Sequence, residues 1–173
     1  MREGGLTAAG IKQVVARSRT PIGSLYHYFP EGKTQLAAEA LRLHGGRGRD
    51  LLAMIFGGER PVSERVRALF GTAARGFDQS DRRRGCAIGA VTLDLSSADD
   101  ALRAVCQEAF ESWVDTIEQR LPWRSRKARR SFAEMVVTTL EGAFIVSRAQ
   151  QSGQPFLTAG DWLAEAAESY SEL

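Results

Sequence analysis

Side chains able to contact a polyanion are concentrated near the start of the chain. Residues 20–29 include a threonine, a serine, two tyrosines and His27, and Lys33 follows shortly afterwards. Residues 1–49 contain eight lysines and arginines against three glutamates, a net charge of +5, whereas the remainder carries −3. Hydroxyl and ammonium groups in a basic region are typical of phosphate contact, so this end is the candidate polyanion-binding part. A solvated, arginine-rich helix surface would give the same excess.

Residues that would serve catalysis or metal binding do not form a recognisable set. His27 and His44 are the only histidines, and no Ser-His-Asp, metal-ligand or phosphate-loop pattern includes them. Cys86 and Cys106 are too few and too far apart for a disulfide framework or a zinc site, so we expect buried free thiols. We therefore expect no enzyme, no cofactor and no metal.

The composition favours a helical globular protein. The 173 residues are 43% hydrophobic and 25% charged, and they are rich in strong helix formers. The chain lacks both an apolar run of the roughly 18 residues that suggest a membrane helix and the apolar segment of a signal peptide. We expect an all-α fold, a cytoplasmic location and no membrane partner.

Two short helices are predicted ahead of a longer one. Apolar residues recur at helical spacing through residues 10–17: Ile11, Val14 and Val15. Thr20 followed by Pro21 has the form of an N-cap with proline at the first helical position. A second helix is therefore predicted over residues 21–28, with Leu25 and Phe29 directed inward. The brief turn between the two indicates a helix-turn-helix.

Six further helices are predicted from apolar spacing and from glycine and proline breaks. They cover about residues 33–56, 61–77, 86–95, 98–121, 125–151 and 158–170. Glycines in residues 45–49 predict a weak point in the first of these. The segment 86–95 is ambiguous between helix and strand, and its helical neighbours favour helix. Ser97 and Ser125 are predicted N-caps.

The predicted helix over residues 129–150 is apolar around most of its circumference. Between Phe132 and Val146 its charged residues are Glu134 and Glu141, which with Arg148 form one narrow, solvated stripe. Such a helix is buried on more than one side, and in a small chain one side is expected to meet a second subunit. A central helix in a monomeric bundle is the alternative. The candidate interface residues are Val136, Leu140, Gly142, Ala143 and Phe144.

These features resemble the TetR family of repressors. The resemblance in the first part is carried by Ile11, Val14, Val15 and Ala16, by Thr20-Pro21-Ile22-Gly23-Ser24-Leu25-Tyr26-His27-Tyr28-Phe29 as the recognition helix, and by Lys33. The later part of the chain resembles the LmrA/YxaF-type branch of the family. The residues that carry this resemblance are Gly85-Cys86-Ala87, the Trp113 region, Leu140-Glu141-Gly142-Ala143 and Ser147-Arg148-Ala149. The resemblance implies a DNA-binding domain over residues 1–44 and a ligand-binding and dimerisation domain over residues 45–173.

The helix-turn-helix and the resemblance together assign candidate DNA contacts. They are Lys12, Thr20, Ile22, Gly23, Ser24, Tyr26, His27, Tyr28 and Lys33. Ile22, Gly23 and Ser24 lie in the first turn of the recognition helix, where side chains reach base edges. The tyrosine hydroxyls and Lys33 suit phosphates, and the resemblance adds Lys12. A packed core aromatic is the alternative for Tyr26, and a plain surface histidine for His27.

A two-fold dimer would present two recognition helices to a pseudo-palindromic operator. The resemblance implies that a small molecule in the C-terminal part releases the DNA. The residues expected on inward helix faces are Phe77, Thr92, Phe110, Trp113, Ile117, Thr139 and Phe144. Aromatic residues with few hydroxyls suit a flat, mostly apolar effector. The same residues also fit an ordinary packed core.

The sequence departs from the family pattern at its start. The family has a further N-terminal helix, and only residues 1–5 precede the similarity here. Ala9 stands where a threonine or serine cap is expected. We therefore expect the first 30 or so residues to be the most mobile, or to be held by contacts that replace that helix. A helical ligand-binding or dimerisation module without DNA binding is the alternative function.

Overall fold

The computed structural model describes residues 1–7, 10–96 and 99–170, which form eight α-helices and contain no strand. The helices are α1 (Ile11–Ser18), α2 (Ile22–Tyr28), α3 (Lys33–Phe56), α4 (Val62–Asp78), α5 (Ala87–Asp94), α6 (Asp100–Glu118), α7 (Arg126–Gln150) and α8 (Gln154–Tyr170). The all-α prediction is confirmed, and segment 86–95 is helical. The predicted cap at Ser97 and the position of Ala9 lie outside the described residues.

The hydrophobic core lies among α3 to α8. Helix α8 packs along α4, α6 packs between α3 and α7, and α5 contacts α3 and α6. The largest fully buried side chains include Phe56, Phe70, Phe77 and Phe156. Gly160 lets α8 approach α4 closely, since a Cβ at Gly160 would lie 2.7 Å from the Cβ of Phe70 on α4. Within the described residues, no helix is long and apolar enough to span a bilayer.

Helix α3 is continuous through the glycines that predicted a weak point. A Cβ on Gly45 would lie 3.0 Å from the Cβ of Ala109, and one on Gly48 would lie 2.7 Å from the Trp113 ring. The Trp113 indole Nε1 donates a 2.8 Å hydrogen bond to the Gly45 carbonyl. The prediction was wrong because these glycines form a close crossing with α6, whose contacts stabilise the helix there. The predicted boundary between residues 44 and 45 falls within this helix.

The helix ends follow the sequence closely, with two corrections. Ser125 caps α7, its Oγ accepting from the Ala128 amide at 3.2 Å as predicted. Thr20 does not cap α2, because Pro21 is the N-cap and the Thr20 hydroxyl donates to the Ser18 carbonyl instead. Helix α8 begins at Gln154 and not near residue 158, because Pro155 fits the first turn, where no intrahelical donor is needed.

Residues 1–7 contact α5 and its flanking loops. The Gly85 amide donates to the Arg2 carbonyl at 2.8 Å, and the Arg2 Nε donates back to the Gly85 carbonyl at 3.0 Å. The Thr7 amide donates to the Asp94 carboxylate at 3.1 Å. These contacts concern residues 1–7 alone, and the expectation that the first 30 or so residues are either the most mobile or held by replacement contacts stays a prediction. Helix α1, by contrast, buries no residue.

Candidate nucleic-acid interface and small-molecule cavity

Helix α2 is anchored by one side chain and exposes most of the others. Leu25 is buried, whereas Ile22, Gly23 and Tyr26 are exposed and Ser24 is half-buried. Tyr26 is 50% exposed, with its ring 3.7 Å from the position of a Gly32 Cβ, so it is not a core aromatic. The first turn of α2 therefore presents an apolar side chain, a bare backbone and a partly exposed hydroxyl to solvent.

The remaining predicted DNA contacts also reach solvent. Lys12, Thr20, His27 and Tyr28 are exposed, and Tyr28 is 72% exposed. Lys33 is half-buried at the first position of α3, where helix amides without intrahelical partners accumulate positive potential. None of the nine predicted contacts is buried, so their surface suits recognition of an anionic partner.

A cavity of about 290 Å³ lies among α3, α4, α6, α7 and the loop before α5. Its apolar lining includes Phe77, Trp113 and Phe144, three of the predicted ligand residues. Its polar lining includes His44 and Glu141. The volume and mostly apolar lining suit a compact aromatic molecule.

A second cavity of about 250 Å³ lies between α5, α6 and α7. It is lined by Thr92 and Phe110, also predicted, and it shares Phe144 and Glu141 with the first cavity. Two predicted ligand residues are corrected. Ile117 is fully buried in the core, and Thr139, half-buried on α7, lines neither of these cavities.

Glu141 lies in the wall shared by the two cavities. The sequence placed it on a solvated stripe, which was wrong: Oε1 is buried and has no hydrogen-bond partner in the described chain. Burial raises the pKa of Glu141 to about 7, and a hydrogen bond from Cys86 lowers it only in part. A lone glutamate on an otherwise apolar helix was the signal in the sequence that marked this site.

Cys86 and His44 border the same region and are held uncharged. Burial, and then the charge of Glu141, raise the pKa of the Cys86 thiol well above its usual value. Burial, and then the charges of Arg2 and Arg47, lower the pKa of His44. Its Nε2 lies 3.4 Å from the Ala87 amide, from which it accepts a hydrogen bond. Cys106, like Cys86, is a buried free thiol, as predicted.

Comparison with known proteins identifies the family. A model of the LmrA/YxaF-like transcriptional regulator C-terminal domain matches residues 62–162, more than half of the chain. This chain belongs to the TetR family of transcriptional regulators. An HTH-type transcriptional regulator of Mycobacterium tuberculosis is 32% identical over 166 residues, covering 90% of this chain and 81% of the relative. The LmrA regulator of Bacillus subtilis is 26% identical over 155 residues, covering 88% and 82%.

Solved structures share the TetR-family fold. The regulatory protein TetR from Rhodobacter sphaeroides superposes with a TM-score of 0.83 at 22% identity, covering 95% of this chain and 90% of that one. A TetR regulator from Legionella pneumophila has a TM-score of 0.83 at 15% identity, covering 95% and 89%. These likenesses establish the arrangement of helices.

The predicted dimer surface of this TetR-family chain needs correction. Val136 and Ala143 are buried in the chain's own core, so they are not on its surface. Leu140 and Phe144 are half-buried and line the first cavity, while Gly142 is exposed. On α7 and α8, the large apolar residues that are exposed are Met135, Ile145, Val146, Leu157 and Trp162. We call this set the α7/α8 apolar surface.

Proposed function

We propose that this TetR-family regulator represses transcription as a dimer on a pseudo-palindromic operator and leaves the DNA when a small, mostly apolar effector binds. The observation that carries the proposal is the continuity of α3. Its first residue, Lys33, follows the recognition helix, and His44, Gly48 and Leu52 farther along line the first cavity. One helix thus joins the proposed DNA-binding surface to a mostly apolar cavity.

The exposed side chains of α2 support direct reading of DNA. Ile22 suits contact with a thymine methyl, Gly23 permits close approach of the backbone, and Ser24 offers a hydroxyl to a base edge. Tyr26 and Lys33 suit phosphates, which position the helix without reading sequence. This division of roles predicts separate effects on affinity and on base preference.

The α7/α8 apolar surface supports dimerisation. Trp162 is 73% exposed and Ile145 is 57% exposed, although both are large and apolar. Apolar residues clustered on adjacent helices of one chain are typical of an interface between subunits. A two-fold axis through this surface would present one recognition helix from each subunit to the operator.

The crossing of α3 and α6 supports communication between effector and DNA. Gly45 and Gly48 contact Ala109 and Trp113 so closely that the helices have little room to slide. A ligand against Trp113 in the first cavity therefore pushes on α3 directly. It releases DNA only if it binds the displaced arrangement more tightly than the DNA-bound one. A repressor of this kind acts where the chromosome lies, so we place the protein in the cytoplasm. We propose no catalytic activity for it.

Fluorescence anisotropy with a palindromic fragment from the protein's own promoter region tests the proposal. We expect tighter binding than to a scrambled fragment, and an affinity that falls steeply with salt concentration because phosphate contacts release counterions. The double variant Tyr26→Phe, Lys33→Ala should weaken binding to both fragments and lower the salt slope. Lys127→Ala, an exposed lysine on α7, is the matched control. Absence of salt-dependent binding would favour a module that binds ligand or partner without DNA.

A further inference from the structure

Glu141 is placed where a bound molecule would meet it from either cavity. Glu141 lines both, and its Oε1 is buried without a hydrogen-bond partner in the described chain. Gly89 of α5 makes room for it, since a Cβ at that position would lie 2.2 Å from Oε2. Any side chain at residue 89 would displace the carboxylate from the shared wall.

The described groups beside Glu141 that can carry positive charge are Arg2 and His44 in the wall of the first cavity and Arg148 in the wall of the second. Glu141 forms no ion pair with a described lysine, arginine or histidine. The nearby arginines donate elsewhere, Arg2 to the Gly85 carbonyl and Arg148 to the Glu3 carbonyl. His44 accepts a hydrogen bond from the Ala87 amide. An ionised carboxylate buried in this way is unfavourable until a cation reaches it.

Aromatic side chains line both of the cavities that Glu141 borders. Phe144 lines both cavities, Trp113 and Phe77 line the first, and Phe110 lines the second. Phe144 and Phe110 are held by edge-on contacts with Phe156 and Trp113, at centroid distances of 4.9 Å and 5.5 Å. Ring faces attract both flat apolar groups and cations.

We propose that the effector is an aromatic amine whose protonated nitrogen donates a hydrogen bond to Glu141 while its ring system fills the apolar cavity. This inference rests on the proposed function, in which the first cavity is the effector site. The amine supplies a counter-charge, and its donor reaches the carboxylate oxygen that the chain leaves without a partner. An anionic ligand would meet the carboxylate unfavourably.

Calorimetric titration of the whole protein with three matched probes tests the proposal. The probes are 1-naphthylmethylamine, 1-naphthalenemethanol and 1-naphthoate, which share a ring system and differ in charge. We expect the amine to bind at least about tenfold more tightly than the alcohol, because an ionic hydrogen bond replaces a neutral one. Equal binding of the amine and the alcohol, or tighter binding of naphthoate, would overturn the proposal.

Glu141→Gln keeps the shape of the side chain and removes its charge. It should weaken amine binding by about tenfold or more and change alcohol binding little. Glu165→Gln, which removes an exposed charge from α8, should change neither. Unchanged amine affinity in a folded Glu141→Gln protein would overturn the proposal. If that variant fails to fold, the probe series on the unmodified protein still decides.

These titrations contain no DNA, so they test the amine site separately from the repressor function. An amine that binds through Glu141 yet leaves the operator complex intact would overturn effector release and leave the amine site standing. If the protein binds its operator but does not bind the amine more tightly than the alcohol, the amine site is overturned and the repressor function stands.

Discussion

The two ends of the chain differ in what their side chains contact. Helices α1 and α2 bury a single residue, Leu25, and expose most of their polar and aromatic groups. Helices α3 to α8 enclose a continuous core with four fully buried phenylalanines and leave apolar groups exposed on α7 and α8. The first region therefore has few buried contacts to hold it, whereas the second has a packed core of its own.

The largest expected effect on stability lies in the second region, at Arg65. This side chain is only 6% exposed and donates to the backbone carbonyls of Arg60, Phe56, Gly58 and Arg120 at 2.6–3.1 Å. Arg65→Ala would leave those carbonyls unsatisfied, and we expect a loss of about 3 kcal/mol or more in the free energy of unfolding. Urea denaturation measures this loss.

Arg67 provides the matched comparison for Arg65. It is exposed on the same helix and pairs with Asp161 at 3.2 Å. Arg67→Ala should reduce stability by about 0.5 kcal/mol or less, because exposed ion pairs contribute little. Similar losses in the two variants would contradict the assignment of Arg65 as a buried connection between the ends of α3 and α6.

The next effect concerns the α7/α8 apolar surface. Ile145→Glu should weaken dimerisation by at least about tenfold, because the carboxylate would be buried against the partner. Ala143→Glu should instead destabilise the fold itself, since Ala143 faces the chain's own core. Sedimentation velocity and thermal unfolding separate the two outcomes. Leu43→Glu, an exposed apolar position on α3, is the control. A monomeric unmodified protein at micromolar concentration would refute the interface.

Glu141 should make stability depend on pH. Its pKa is about 7 in the folded chain against a usual 4.5, so the folded state holds a proton that the unfolded state releases. The stabilisation is therefore complete below about pH 4.5 and is lost as the pH rises through 7, a change of about 3 kcal/mol. Burial has the opposite effect at His44, whose lowered pKa makes stability fall at acidic pH.

Comparison with Glu141→Gln isolates this effect from that of His44. Between pH 4 and pH 8 the unmodified protein should lose unfolding free energy relative to the variant, because Glu141 becomes charged in its buried site and the amide of the variant does not. The groups that face Glu141, namely Cys86, His44, Arg2 and Arg148, are the same in both proteins. A difference that does not change with pH would show that Glu141 is solvated.

Sequence patterns predicted the elements better than their contacts. Apolar spacing and the Ser125 cap depend on residues close together in the chain, so they could be read directly. The role of Gly45 and Gly48 depends on Ala109 and Trp113, about 60 residues away, which local patterns do not contain. The prediction of which face of α7 is exposed was wrong for another reason. A sequence that is apolar around most of a helix does not show which side faces the chain's own core.

The smallest effect on stability should come from the first region, where DNA binding is the measurement that responds. Ser24 lies half-buried in the first turn of α2, and in the proposed function its hydroxyl contacts a base edge. Ser24→Ala should change discrimination between operator variants by about 1 kcal/mol at one base pair, while affinity for unrelated DNA stays the same. The midpoint of urea denaturation should not move. Ser18→Ala on α1, where the hydroxyl donates to the Val15 carbonyl at 3.2 Å, is the matched control and should leave base preference unchanged. Equal effects of the two substitutions would show that α2 does not read bases through Ser24, and the division between base-reading and phosphate-binding residues would then have to be drawn elsewhere on the exposed surface.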